Sequence, residues 1–420
     1  MKQIIRYIDL CSGIGGFRVA IENYSKDKEN IDFQCVFSAD IKEDAIKTYN
    51  LNFNENNIKT DIYDIEDLPE FDLLCAGFPC QPFSSAGNKQ GFNDTRGGII
   101  FKIIDICKKY NPTYIILENV SNLLTLNNGK DLNKIVTEFE NIGYFVNYKK
   151  LNSKDFDVPQ NRERVFIVCS KSELIDLNLI QKHKTKLLKD IINYNEKYTD
   201  IESNFASKIL ELHNRKPLFG FKMQDKRGGT NNIHSWDIEN NGIIPDKQKQ
   251  LISKIMTERR KKKWAENKKI EWMDGMPLTY NEILTFYPDD NLQEMLDNLV
   301  DKKYLRLEKP KDLIDGKRVY VEDGELGYNI CKGKLSFPIS NILDPNGISP
   351  TLTATDSCKL VVIIDNKFIR KLTDNELKMI SGFPIEYIIP ENVNKYDLFG
   401  NIVVPNIIYK ILEYIFFSRR

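Results

Sequence analysis

The sequence predicts an α/β fold built on a mainly parallel sheet. Three observations carry this. Up to about Ser170, short apolar runs alternate with stretches of helical periodicity, the pattern of strands joined by helical crossovers. The turns between those runs carry Gly, Asp, Asn or Pro, which places polar residues at the carboxyl ends of the strands, where open α/β sheets bind ligands. The composition, 41% hydrophobic and 29% charged over 420 residues, suits a large buried core and more than one domain.

In chain order, IIRYIDL reads as a strand, FRVAIENY as a helix, QCVFSAD as a strand, EDAIKTYN as a helix and FDLLCAG as a buried strand. GIIFKIIDICKKY and DLNKIVTEFENIG carry helical spacing on either side of the strand YIILENV, and RVFIVCS closes the series as a further strand. Beyond about Glu173 the alternation becomes irregular and lysine-rich, the mark of a separate domain. Within it, KIMTERRKKKWAENKK holds eight basic against two acidic residues and reads as one basic helix. Leu292, Met295, Leu296 and Leu299, followed by Tyr304, Leu305 and Leu307, suggest short helices and a strand in a winged-helix-like unit. The chain ends in core character. Ile407, Ile408, Ile411, Leu412 and Ile415 form an apolar stripe, and this last helix is expected to pack back on the first domain.

Sixty basic and sixty acidic residues balance, so the overall charge points to no partner, although local patches remain. No secretory leader and no run of about 20 apolar residues is evident, which gives a cytoplasmic protein with no membrane partner. The eight cysteines form no C-x-x-C pair, and there are three histidines, so neither a disulfide framework nor a metal site is expected. Most of these thiols read as small core hydrophobes.

DLCSGIGGF runs a strand into Gly13, Gly15 and Gly16 ahead of a helix. Such a turn alone satisfies backbone geometry as readily as it binds a ligand. Asp40, 24 residues past Gly16, and Asp61 follow later strands, and an acid at that distance typically holds ribose hydroxyls. No Lys-Ser or Lys-Thr follows the glycines. Asp9 beside the turn would repel a pyrophosphate and favour a cationic sulfonium.

GFPCQPFS places Cys80 just past a buried strand, with Pro79 and Pro82 fixing the backbone around it. YIILENV delivers Glu118 to a strand end, where an apolar surround raises a carboxyl pKa and makes it a proton donor. In VPQNRERVFIV, Arg162 and Arg164 share a face by the period of two and suit a carbonyl oxygen or a thiolate.

DLCSGIGGF, GFPCQPFS, LENV, QNRERVF, SPTLTATD and GNIVV occur in the order of the motifs of the DNA cytosine-C5 methyltransferases, and over about the first 170 and last 70 residues the chain resembles that family. The resemblance implies a class I S-adenosylmethionine-dependent methyltransferase (Rossmann-like) domain with a smaller irregular target-recognition domain. Their expected bounds are 1–172 plus 369–420, and 173–368. It implies methylation of cytosine C5 in a specific duplex DNA sequence, as in bacterial restriction-modification systems. Cys80 is then similar to the nucleophile, Glu118 to the acid on the base, and Arg162 and Arg164 to the arginines that position base and thiol. For S-adenosyl-L-methionine the resemblance implies Asp9, Cys11, Gly13, Ile14, Gly15, Gly16, Phe17, Asp40 (ribose), Ile41, Asp61 (adenine), Ile62, Asn401 and Val403. The segment Ser84–Gly98 resembles the family's closing loop over a flipped base. Cys11, Ile41 and Ile402 depart from the family's usual residues at the adenine side of the pocket.

For DNA, the expected contacts are Gln81, Ser84 and Arg96 near the thiol, and Arg227, Asn231, Asn232 and His234 in DKRGGTNNIHSWD, a stretch that equally fits a structured surface loop. Lys261 in the basic run suits phosphates. The expected partners are double-stranded DNA and a restriction endonuclease acting separately, with the enzyme itself a monomer. Methylation of tRNA cytosine on the same machinery, and sequence-specific DNA binding with secondary catalysis, stay open at this point.

Overall fold

The computed structural model describes residues 2–28, 30–79, 98–225, 231–271, 275–331 and 337–416. The chain divides into two compact units, Met1–Asn193 with Asp344–Cys358 and Leu372–Arg420, and Tyr194–Leu343 with Lys359–Lys371.

The first unit begins with β1 (Gln3–Leu10), α1 (Gly16–Asp27), β2 (Ile31–Ala39), α2 (Glu43–Phe53) and β3 (Leu73–Gly77). Then come α3 (Gly98–Tyr110), β4 (Tyr114–Val120), α4 (Lys130–Asn141), β5 (Phe145–Asn152) and β6 (Glu163–Ser170). Glu43 and Asp44 in the first turn of α2 face its positive end, and Asn54 at φ 53 stops it. The sheet order is β2-β1-β3-β4-β6-β5. β1 to β4 run parallel, and β6 is antiparallel to both β4 and β5. Sequence periodicity passes over β5, whose side chains are mostly exposed or half-buried on an edge strand. Alternate residues of four strands, Ile8, Leu74, Ile115 and Ile167 among them, pack with Ile103 of α3 and with Ile135 and Phe139 of α4 in one buried cluster.

The second unit opens with α5 (Ser203–Arg215), β7 (Lys222–Met223) and β8 (Asn232–Ile233). The run expected as one basic helix is two, α6 (Asp246–Glu258) and α7 (Lys262–Asn267). The break falls at Arg259, which is 2% exposed and donates to Asn329 Oδ1 at 2.6 Å. Burying that guanidinium turns the chain. α8 (Tyr280–Leu284), α9 (Leu292–Asp301), β9 (Leu305–Glu308), β10 (Lys311–Ile314), β11 (Lys317–Tyr320) and β12 (Gly327–Ile330) follow. β13 (Asn341–Ile342), β14 (Leu360–Ile364) and β15 (Phe368–Lys371) complete a sheet of order β15-β14-β13-β7-β8.

The chain re-enters the first unit through α10 (Asp374–Ile380), which begins with a capping box between Thr373 and Glu376. α11 (Lys395–Gly400) and α12 (Pro405–Phe416) end the described chain. Lys395–Phe416 is apolar enough to cross a membrane by composition, but it breaks between these two helices. α12 also buries Ile407, Ile408, Ile411, Leu412 and Ile415, each contributing roughly 1.5–3 kcal/mol. Tyr409 stacks edge-on to Tyr24 of α1 at 5.5 Å, and Phe416 meets Phe33 of β2 and Tyr114 of β4. The last helix is a core helix on the sheet face opposite α3 and α4.

Candidate active site

The site forms where β1 to β4 end. After Leu10 the chain turns through Cys11 at φ 52, Gly13 at φ 54 and Gly15 at φ 80 before α1 begins. The two glycines take up backbone that side chains resist. A Cβ on Gly16 would lie 2.1 Å from the carbonyl oxygen of Val403, whereas one on Gly13 would meet nothing within 4 Å. Gly16 therefore serves the packing of GNIVV against the turn, and Gly13 leaves open space where a side chain would stand.

Asp40 leaves the end of β2 and accepts from Gly13 N and Lys42 N, each at 2.8 Å, and so holds the turn from outside. Asp61 caps its own short turn by accepting from Tyr63 N at 3.0 Å. Ile41 is 53% exposed beside Asp40, and Ile62 is buried. Ile14 and Phe17 point their side chains into the core, and Tyr387 donates its hydroxyl to the Ile14 carbonyl at 2.5 Å. Asn401 donates to the Asp397 carbonyl at 2.8 Å, and Lys42 pairs with the Asp397 carboxylate.

Asp9 lies deeper than its place beside the turn suggests. Its side chain is 0% exposed, and neither carboxylate oxygen has a hydrogen-bond partner among the described residues. Burial raises its pKa well above the ordinary value, with Arg18 opposing and Asp40 adding to the rise. Cys11 is likewise desolvated, its thiol pushed up to about 12.

The catalytic candidates converge from β3, β4 and β6. Gly77 pairs with Glu118 across β3 and β4, and Arg164 pairs with Val120 across β6 and β4. Arg164 Nε lies 3.1 Å from Glu118 Oε1. The two meet as a largely buried ion pair. Burial raises the Glu118 pKa, while Arg164 and then Arg162 pull it down.

Arg162, besides acting on the Glu118 charge, is bound to backbone. It is 2% exposed, and its guanidinium donates to the carbonyls of Leu352 and Gly400, each at 3.2 Å, and of Ile402 at 2.7 Å. Desolvation lowers its pKa to about 9. It ties QNRER, SPTLTATD and GNIVV together.

Two residues escaped sequence reasoning. Asn119 donates to the Phe78 carbonyl at 2.9 Å and accepts from Val120 N, anchoring the segment that leads to Cys80. Gln160 donates to the Ile380 carbonyl and accepts from Leu352 N. The signal for both was their place inside LENV and QNRERVF.

Cys80, Gln81, Ser84, Arg96 and Arg227, with the segment between Ser84 and α3, lie outside the described residues. Asn231 is exposed and Asn232 accepts from Gln224 at 2.8 Å. His234 differs from its expected use. It is 6% exposed, stacks on Trp236 with ring centroids 4.4 Å apart, and contacts Asp237, so its ring belongs to the packing of the loop. Lys261 pairs with Glu258 at 2.5 Å.

The model of the C-5 cytosine-specific DNA methylase family matches residues 5–416. The chain belongs to that family. It is a DNA cytosine-C5 methyltransferase. It is similar to the type II methyltransferase M.NlaIV of Neisseria lactamica, with 44% identity over 423 residues and 98% of each chain covered. It is 36% identical to M.BanI of Aneurinibacillus aneurinilyticus over 435 residues, covering 98% of this chain and 96% of that one. Among solved structures, a putative DNA modification methyltransferase encoded within an E. coli prophage aligns at a TM-score of 0.50 and 18% identity, covering 98% of each chain. Spodoptera frugiperda DNMT2 aligns at 0.50 and 18%, covering 98% and 99%. These two share the fold. The methylase family is S-adenosylmethionine-dependent, and the open space at Gly13, with the carboxylates of Asp40 and Asp61 nearby, suits a nucleoside.

Proposed function

We propose that this methyltransferase is the modification enzyme of a type II restriction-modification pair, methylating one cytosine in a specific duplex sequence through covalent addition of Cys80, and so protecting the DNA from a separate endonuclease. The names of its type II relatives M.NlaIV and M.BanI support the first part. The register Gly77↔Glu118 supports the second. Cys80 follows Gly77 by three residues, a reach of at most about 11 Å, so thiol and carboxyl serve one small volume.

In that volume a flipped cytosine meets the groups its chemistry needs. The Cys80 thiolate forms a bond to C6. Glu118, kept toward its protonated form by burial, supports protonation at N3, so the electron pair displaced from C5=C6 makes C5 nucleophilic. Arg164 holds the Glu118 carboxyl in place. Once C5 carries the methyl group, water takes the C5 proton, the S–C6 bond breaks to release the Cys80 thiolate, and N3 returns its proton to Glu118, which restores the aromatic ring. S-adenosylmethionine supplies an electrophilic methyl on a cationic sulfur. For it, Asp40 retains acceptor lone pairs for the ribose, Asp61 suits the adenine amine, and Gly13 leaves room, with Ile41, Asn401 and Val403 around them. On the DNA, Asn231, Asn232 and Lys261 remain the candidates within the described residues.

The test is transfer of a labelled methyl group to DNA, with bisulfite sequencing to find the modified cytosine. Transfer confined to one sequence, and abolished in Cys80→Ser, is expected. Saturating cofactor with no transfer to any duplex would overturn the proposal.

A further inference from the structure

Between Ile244 and Ile330 the second unit carries a core of its own, with Leu251, Ile255, Leu296, Leu299 and Ile330 buried together. Its element order is α6, a single bridge from Leu278 to Tyr328, α8, α9, β9, the β10–β11 hairpin and β12. β12 pairs antiparallel with β9 and also bears the Leu278 bridge. Three helices closed by a small antiparallel sheet, with a hairpin between its last two strands, is a winged helix. α8 and α9 stand as its helix-turn-helix, and α9 holds the place of the helix that such modules lay in the major groove.

The charge on α9 forbids that use. Leu292–Asp301 contains no lysine or arginine, and its exposed face carries Glu294, Asp297 and Asp301. Three carboxylates would face a phosphate lattice of the same sign.

The hairpin has the opposite character. Asp315 and Gly316, at φ 49 and 74, form its two-residue turn. The pairs Lys311↔Tyr320 and Leu313↔Arg318 fall on one face, and Asp312↔Val319 and Ile314↔Lys317 on the other. Asp312 accepts from Glu271 N at 3.0 Å, while Ile314 and Val319 of the second face are 55% and 44% exposed, so both faces of the hairpin reach solvent. The first face holds two cations, an aromatic and a leucine, whereas the second holds Lys317 with Asp312. Lys311 sits 4.3 Å from the Tyr320 ring centroid, and Leu313 and Tyr320 are 40% and 50% exposed. A two-stranded hairpin is marginal by itself, and one that shows cations and apolar side chains together fits a phosphate-lined groove.

We propose that this winged-helix module grips duplex DNA through the Lys311, Leu313, Arg318 and Tyr320 face of its hairpin, with α9 turned away from the DNA. The proposal rests on the reading that the enzyme acts on duplex DNA. It adds a contact whose lysine and arginine act on the backbone and not on the target base.

The experiment is duplex binding by fluorescence anisotropy over a salt series, with the full chain. The double variant Lys311→Ala/Arg318→Ala is expected to bind roughly tenfold more weakly and to lose about 2 from the slope of log K against log salt. Retained cofactor affinity reports an intact first unit. A triple variant Glu294→Gln/Asp297→Asn/Asp301→Asn is expected to bind as wild type does. Wild-type slope in the double variant, or tighter binding in the triple, overturns the hairpin proposal. Wild-type enzyme that neither binds nor methylates any duplex overturns the functional reading beneath it as well, so the two failures are told apart.

Discussion

Arg162 Nη2 donates to the Ile402 carbonyl at 2.7 Å, joining two segments 240 residues apart in the chain. Its other terminal nitrogen reaches the carbonyls of Leu352 and Gly400. Three carbonyls fixed by one planar fork is a task that an ammonium group cannot repeat. Arg162→Lys is therefore expected to lower stability by about 2–4 kcal/mol and to weaken cofactor binding, read by urea unfolding and calorimetry. Unchanged stability would remove the tie as the residue's role.

Asn119 anchors the approach to Cys80 through the Phe78 carbonyl. Asn119→Asp replaces the donating amide with an acceptor facing an acceptor, and is expected to cost about 1–3 kcal/mol and to depress kcat with little change in cofactor affinity. If Asn119→Asp and Asn119→Ala both keep wild-type kcat, the anchor does not serve the thiol.

Gly13 and Gly16 separate fold from binding. Gly16→Ala drives a Cβ to 2.1 Å from the Val403 carbonyl oxygen, and overpacking of that kind costs about 1–3 kcal/mol or more. Gly13→Ala meets nothing within 4 Å and carries the left-handed strain of about 1–2 kcal/mol. Thermal melts should show the larger loss for Gly16→Ala, while cofactor titration should show Gly13→Ala folded but weakened in binding. Equal effects on both readouts would deny the division.

The sheet was legible because its strands are buried and therefore read as apolar runs: LLCAG and YIILENV leave no doubt of their place. β5 was not, because an edge strand half in water alternates weakly. Glu118 was found because a carboxyl at the end of a buried strand is conspicuous. The burial of Asp9 was not legible, because its place beside the glycine turn does not tell whether solvent reaches it. His234 looked like a reader because polar loop residues resemble one another in sequence. Its stacking on Trp236 is a property of the fold. The carbonyls that Arg162 holds lie 190 to 240 residues away, beyond any local pattern.

Glu118 sets a pH expectation for catalysis. Burial holds its carboxyl protonated to higher pH than an ordinary glutamate, against the pull of Arg164 and Arg162. The methyl-transfer rate should accordingly fall as pH rises through that raised pKa, and Glu118→Gln should be slower but flat across the same window. Single-turnover rates from pH 5.5 to 9 read both. A wild-type limb that persists in Glu118→Gln belongs to another group.

Asp9 sets one for stability. Its folded pKa stands above the unfolded value of about 3.9, so the folded state binds the proton more tightly than the unfolded state does. The stability linked to that proton is complete below the unfolded pKa and is lost as pH rises through the folded one. Asp9→Asn keeps the shape and does not titrate. The difference in Tm between Asp9→Asn and wild type should therefore grow in favour of the variant from pH 4 upward, then level off above the folded pKa. Scanning calorimetry of both proteins without cofactor measures it. Parallel curves from pH 4 to 8 would mean that an ionised Asp9 finds compensation inside the fold, and burial would then not favour its protonated form.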